Sequence, residues 1–512
     1  MTIKIYRRLL IGLSFSAALI SCAFDDSAIA DELIPGITIG ELSENGFTVV
    51  SFEGNRLEVT ANVTTTYPEN ELTYNWYLID VAQEGVYHGT DTDYHFDRQQ
   101  IGTGRTLSYE VNLSPGEYTL VLEVTAANGY TVTKTATLNA VTNFTQGFYI
   151  LKETDEGKTE LDLLNNSDGE FMQNLLTNVH GSPLPAAPQN LSTAYAHCYI
   201  DTERNEPASA NLVTVTTQDG RIWAMRTSDL KPVLDNDNLL FTEMGAEEQP
   251  YRIVSGYFGN YLISDQGIRY QWNATMTSKG SGKYGITSEI AATPHICYDN
   301  SSGNLFFWDD QSHSIATCDY NGTASFVEDE HYKVTGLARM TCSAVGYNAA
   351  TGYIVFVLST LDGSQKQLVL LTSGFGAGAS VESMRALRVN KLNSASTFSV
   401  AYYSAALLYG VVDNKIYGLD LNSYTEQEIT AHGIGDDEQI VYISNQCEAS
   451  GLFDYFVIGT KKGSNYTLRF YQLLGGQPDG DPVYTLHGTG TPRAIHYIDN
   501  ATQHFGVAPL QD

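Results

Sequence analysis

The sequence predicts an all-β protein with an immunoglobulin-like sandwich followed by a seven-bladed β-propeller. Three observations lead there. Apolar and polar residues alternate with period two along much of the chain, and Gly-, Asn- and Asp-rich turns separate the runs. No amphipathic helix longer than the short 171–176 piece interrupts them. At 512 residues the chain exceeds one ordinary domain and can supply two large cores.

The first residues carry an export signal. Lys4, Arg7 and Arg8 give a positive start, and 9–20 form an apolar run too short to span a bilayer. Leu19-Ile20-Ser21-Cys22 then reads as a lipobox. Residues 1–21 are expected to be removed and Cys22 acylated, so that the membrane is reached through a lipid anchor. An ordinary secretory signal with an incidental cysteine is the alternative. Each buried CH₂ of an acyl chain contributes about 0.8 kcal/mol, so several chains on Cys22 would hold durably. Asp25, Asp26, Asp31 and Glu32 make 22–33 an acidic tether.

The sandwich is expected over 34–143. Period-two alternation is plain from Arg56 to Val63, a strand around Trp76 supplies a bulky core residue, and Pro115-Gly116 turns into a strand with Tyr118 near its start. A core Trp and a corner Tyr suit an immunoglobulin-like fold, here with no cysteine pair between the sheets.

The propeller is expected over 144–512. Innermost strands are predicted at 195–200, 251–257, 295–298, 341–347, 398–404, 440–445 and 493–498, each of the first six followed by a hairpin with a polar turn. The seventh unit has only 493–498 and 504–508 at the C-terminus, and 148–153 with 159–164 can complete it. Such a two-plus-two closure would remove the exposed edges. An eight-bladed ring is the alternative. Cys198, Cys297, Cys342 and Cys447 fall at or near innermost strands, where small apolar side chains pack well; with Cys318 they make an odd set, read as buried thiols rather than disulfides.

Charge and motifs exclude several functions. The formal charge is −31; losing the three cations of the signal leaves 25 basic against 59 acidic side chains, a formal −34. Such a surface repels nucleic acid and anionic lipid. No His-Glu-x-x-His, Gly-x-Ser-x-Gly or Walker loop is present, and Gly280-Ser281-Gly282-Lys283 lacks the following Ser or Thr. Gly374, Gly376 and Gly378 have no βαβ unit around them. Asp91, Asp93 and Asp97 have alternating spacing without the glycine and glutamate of a calcium loop. No cofactor or metal is expected. The 33 Tyr and 4 Trp include surface aromatics suited to sugars or peptides, although most are strand formers filling pleats. Arg252, His295, Arg339 and Arg493 fall where innermost strands begin. Around one mouth of a channel they would form an anion receptor; neutralised by neighbouring acids they would only staple blades.

The Tyr74-x-Trp76 and Gly116-x-Tyr118 strands resemble the PKD-like domain at the front of Bacteroidetes lipoproteins, and the stretch from Asn143 to Glu153 resembles that family's junction into a second domain. The Trp-x-Phe-Gly-Asp-Gly loop of ordinary PKD domains is absent, which places the resemblance with the divergent group. The acidic tether resembles the signal that sends such lipoproteins to the outer face of the outer membrane, with a periplasm-facing orientation as the alternative. The resemblance implies an accessory lipoprotein of a SusC/SusD-type importer that captures glycan or peptide for a TonB-dependent transporter. A propeller hydrolase and a purely structural subunit on the transporter are the alternatives.

Overall fold

The computed structural model describes residues 36–51, 55–81, 98–111, 113, 116–202, 205–245, 247–256, 259–272, 282–285, 288, 290–291, 293–374, 378–448 and 453–499. Cys22, the tether and Asp91, Asp93 and Asp97 lie outside them. The chain divides into two compact units. One takes Arg56–Tyr109, Glu117–Asn139 and the residues up to Phe47; the other takes Ala140 onward together with Thr48–Asn55 and Glu110–Gly116.

The first unit is all-β. The central strand of its five-stranded sheet is flanked by Leu72–Asp80, which pairs antiparallel with Gly116–Ala126 and Arg98–Thr103. Trp76 lies opposite Leu122, is fully buried, and donates its indole N–H to Gly104 O at 2.9 Å, which satisfies the one polar atom it brings inside. Leu57 and Val59 are buried while Arg56, Glu58 and Thr60 face out, as the period-two pattern requires. Tyr118 is buried near the start of its strand.

The second unit contains seven sheets among the described residues. Six begin with Pro188–Asp201, Pro250–Ser255, Ile296–Asp299, Met340–Asn348, Thr397–Val400 and Gln439–Cys447, and further strands follow in chain order. These first strands overlap the predicted innermost set. Second strands such as Asn304–Asp309 and Leu407–Val412 are buried at every residue, because sheets cover both of their faces. Their sequences are accordingly continuous rather than alternating.

The seventh sheet joins Gly147–Glu153 and Thr159–Leu164 to Thr491–Ile498, as expected, and adds Phe171–Met172, which the expected two-plus-two arrangement did not include. Its order is Phe171–Met172, Thr159–Leu164, Gly147–Glu153 and Thr491–Ile498, three strands from the start of the unit and one from its end. Phe171–Met172 pairs with Leu163 and Leu164 and so occupies an edge of the sheet; 504–508 lies outside the described residues. The same pairing corrects the expected 171–176 helix, which begins only at Leu175 and runs to His180 after a left-handed Asn174.

Successive sheets share apolar cores. Leu212 shares a core with Ile253, Val254 with Ile296, Phe306 with Val345, Val355 with Phe398, and the Tyr409 and Phe456 rings meet at 4.5 Å. Val457 then shares a core with Phe148 of the seventh sheet, and Tyr149 of that sheet with Val213 of the first. Cys198, Cys297, Cys318, Cys342 and Cys447 are all buried free thiols, four of them on first strands.

Two sheets repeat one polar clamp. Glu248, just before its first strand, accepts from Arg269 Nη1 and Nη2 and from Ser264 Oγ; Glu438, just before another, accepts from Arg469 Nη1 and Nη2 and from Thr460 Oγ1. In each, the hydroxyl comes from the second strand and the arginine from the third.

Candidate functional site

Where the first strands end, tyrosines and carboxylates from six sheets gather. Asp299 closes its strand, and Tyr347 stands one residue before the end of the next. Tyr402 and Tyr403 follow Thr397–Val400, Glu448 follows Gln439–Cys447, and Asp499 follows Thr491–Ile498. Tyr195 belongs to Pro188–Asp201 at a register shift, and its N–H donates to Ser255 Oγ at the end of Pro250–Ser255.

These groups form a connected arc. The Tyr347 and Tyr402 rings meet edge-on at 5.9 Å and those of Tyr402 and Tyr403 at 4.5 Å. Asn300 Nδ2 donates to Tyr402 OH at 2.9 Å, and Asp499 N–H to Tyr195 OH at 3.3 Å. The Glu448 charge is felt at both Tyr403 and Tyr195, and that of Asp299 at Tyr347.

Local bonds fix the segment that carries the two adjacent tyrosines. Tyr402 N–H donates to Asn445 Oδ1 at 2.7 Å, Asn445 Nδ2 to Asp454 Oδ1 at 2.7 Å, and Ser404 N–H to Asp454 Oδ2 at 3.1 Å. Asp299 is held likewise, accepting from Ser301 N–H, Ser302 Oγ and Ser373 Oγ. Tyr402 is 1 % exposed and Tyr403 43 %, so a buried ring braces one that reaches solvent.

Burial pushes the Tyr347 phenol up to about 12, with the Asp299 charge adding to it, and pushes Tyr195, Tyr402 and Tyr403 up as well. The phenols are therefore hydroxyl donors throughout the neutral range. The exposed Tyr403 ring and its O–H donor, with the Glu448 charge close by, suit a ligand rich in hydroxyls, which can donate, accept and present C–H surface.

The residues predicted from the starts of the first strands lie at those starts but have different surroundings. Arg252 is 2 % exposed and donates to Asn190 Oδ1 of the neighbouring sheet at 2.5 Å. Burial, with a smaller contribution from the Arg252 charge, holds His496 down at about 4. Arg493, half exposed, donates through Nε to Glu153 Oε2 at 3.0 Å on the adjacent strand. His295 is half-buried directly before Ile296–Asp299, and Arg339 is exposed directly before Met340–Asn348. Arg252 and Arg493 thus reach toward different partners. The tyrosine arc escaped the sequence reading, because each tyrosine taken alone is an ordinary strand former. Its usable signal was recurrence at one register: a tyrosine or an acid near the end of one predicted innermost strand after another.

Among the described residues no group of three or more His, Cys, Asp or Glu side chains could hold a metal ion, and no helix is long and apolar enough to cross a membrane. A family model described as PKD-like family matches residues 36–188, which extends past the first unit and through the first three strands of the seventh sheet. No curated protein matches the chain. Among solved structures, a quinonprotein alcohol dehydrogenase-like protein from Bacteroides thetaiotaomicron is 13% identical with a TM-score of 0.49, covering 91% of this chain and 99% of its own. A DUF4784 family protein from Bacteroides caccae is 9% identical with a TM-score of 0.29, covering 77% and 95%. The extracellular domain of a hybrid two-component system from B. thetaiotaomicron is 10% identical with a TM-score of 0.27, covering 93% and 83%.

Proposed function

We propose that this protein is a lipid-anchored surface protein that captures glycan at the tyrosine and carboxylate arc, as an accessory subunit of a SusC/SusD-type importer. In this reading the seven sheets are the blades of a seven-bladed β-propeller, and the arc rims one mouth of its channel. The succession of shared cores, which runs through all seven sheets and returns to the first, supports the propeller. The lipobox at Cys22 and the acidic tether support the anchor and its outward face. The PKD-like match at 36–188 supports the importer context.

The observation that carries the binding reading is the exposed Tyr403 ring, braced on buried Tyr402 within reach of the Glu448 charge. Titration calorimetry of the purified chain against a panel of neutral glycans, acidic glycans and peptides tests it. Tyr403→Ala should weaken glycan binding about tenfold, which is about 1.4 kcal/mol, while the melting temperature holds. Binding of peptides alone, or glycan binding untouched by Tyr403→Ala and Glu448→Gln, would overturn it. Release of reducing ends during incubation would instead make the protein a hydrolase.

A further inference from the structure

A second site lies in the sheet that begins with Pro188–Asp201, at the end away from Tyr195. The turn between Glu206–Thr217 and Ile222–Arg226 and the chain that leaves Pro232–Asp235 wall a cavity of about 710 Å³, a size that takes a small organic ligand. Thr217 pairs with Pro188 at the start of the first strand, which fixes the end of the sheet concerned. The two walls are tied to one another without a ligand. Asn236 Oδ1 accepts from Ile222 N–H at 2.9 Å and its Nδ2 donates to Gly220 O at 2.9 Å, while Asp235 Oδ1 accepts from Asp237 N–H at 3.0 Å.

Two separate demands meet in this cavity. Asp219, Asp235, Asp237 and Glu243 line it against one cation, Arg221, a formal excess of three negative charges. Arg221 Nε approaches Asp219 Oδ2 at 3.5 Å, and among the described residues no ion pair reaches Asp235, Asp237 or Glu243. No three acids there could close on a metal ion, so the excess is met by a cation carried on an organic skeleton. Trp223 adds the second demand: its indole Nε1 is buried and has no acceptor among the described residues. A buried donor left so carries the full cost of its desolvation. An ammonium has no lone pair to offer that N–H, whereas a hydroxyl oxygen has two. Trp223 lies opposite Asp235 in the ladder, so the two side chains leave one face of the sheet with Cβ atoms about 4.5–5.5 Å apart. The ligand's ammonium and its acceptor oxygen therefore stand close together, as on adjacent carbons of a sugar ring, rather than a four-carbon stem apart as in lysine.

We propose that this cavity binds an amino sugar with a free ammonium group, the ammonium held by Asp235, Asp237 and Glu243 and a neighbouring hydroxyl accepting from the Trp223 indole. Arg221 competes with the ligand for the same carboxylates. The site shares no residue with the tyrosine arc and stands or falls without the glycan reading placed there.

Titration calorimetry of the full chain with four probes tests the proposal: the β-1,4-linked trimer of glucosamine, its N-acetylated form, the matching glucose trimer and trilysine. At low salt and about pH 6, below the usual α-amino range, the glucosamine amines are protonated. The glucosamine trimer should bind saturably, and the acetylated and glucose trimers, which lack the charge, at least about tenfold more weakly. Trilysine should also bind at least about tenfold more weakly, because its charges have no hydroxyl beside them. Asp237→Asn with Glu243→Gln, two exposed positions, should weaken the glucosamine trimer by about tenfold or more. Trp223→Phe keeps a ring but deletes the N–H, and should weaken the same probe about fivefold while leaving trilysine unchanged. Arg221→Ala should tighten it about threefold, since the competing cation is gone. Tyr403→Ala should leave it unaltered; loss of binding in that variant would move the amine to the tyrosine arc and overturn the proposal. Equal binding of the charged and uncharged trimers, tighter binding of trilysine, no binding at all, or wild-type affinity in the Asp237 and Glu243 double variant would each overturn it as well.

Discussion

Replacing Lys152 with Met tests the polar knot that fastens the seventh sheet. Lys152 and Asp162 sit on its two adjacent central strands, 1 % and 0 % exposed, with Nζ 2.8 Å from Oδ1. Lys152 Nζ also donates to Asn174 Oδ1 at 2.8 Å, and Asn174 N–H returns to Asp162 Oδ1 at 2.7 Å. Tyr466, on a strand of the neighbouring sheet, donates its O–H to Asp162 Oδ2. Methionine nearly keeps the length of lysine but removes the charge, so Asp162 would remain a buried carboxylate with only Tyr466 and Asn174 as named donors. Breaking a buried pair by removing one partner costs about 3–5 kcal/mol. The two surviving donors place the expectation at the low end, about 3 kcal/mol. Urea unfolding, followed by circular dichroism with the transition of the second unit fitted separately, measures it. Adding Asp162→Asn keeps an acceptor for Tyr466 but removes the stranded charge, so the double variant should regain about 1–2 kcal/mol of the loss. A loss below about 1 kcal/mol in the single variant, or losses that simply add, would refute the view that a charge pair holds this knot.

Three more outcomes are expected. Burial works to raise the Glu248 and Glu438 carboxyls, yet Arg269 with Ser264 and Arg469 with Thr460 hold both below the usual glutamate range. Their stabilisation is therefore complete above the ordinary glutamate value of about 4.3 and is lost as pH falls through their lower folded values. A melting profile should stay level down to about pH 5 and then drop; Glu438→Gln should lower the plateau by about 2 kcal/mol and soften the drop. Deleting 491–512 removes the strand paired with Gly147–Glu153, so the second unit should lose its cooperative transition while the first keeps its own, and an unchanged calorimetric trace would contradict the pairing. Cys22→Ala should release the protein from the membrane fraction and end labelling by a fatty-acid probe, and unaltered fractionation would remove the anchor.

Much of the fold was legible because burial leaves a local trace. The alternation from Arg56 to Thr60 and the unbroken apolar run from Leu407 to Val412 announce, respectively, a strand covered on one face and a strand covered on both. The starts predicted at 251, 295, 341, 398, 440 and 493 fall within a few residues of strands that begin at Pro250, Ile296, Met340, Thr397, Gln439 and Thr491. Buried Trp76 and Tyr118 were legible for the same reason, since a large ring on a strand has few places to go but a core.

Sequence by itself thus determined the all-β class, the order of the hairpins, the buried thiols and the strand starts at which Arg252, His295, Arg339 and Arg493 stand. Tertiary structure alone decided that Phe171–Met172 completes the edge of the seventh sheet. The apolar pattern of Phe171 and Met172 serves a helix or an edge strand equally, and only the ladder with Leu163 and Leu164 selects the strand. It also separated residues at matching positions: Arg252 turns into a buried seam toward Asn190, while Arg493 meets Glu153 at the surface. The tyrosine arc belongs to the same class of fact, for Tyr195, Tyr347, Tyr402 and Tyr403 are brought near one another by packing between sheets. Periodicity records how often a residue faces inward, but the identity of its neighbour is a long-range property carried by no single stretch of chain.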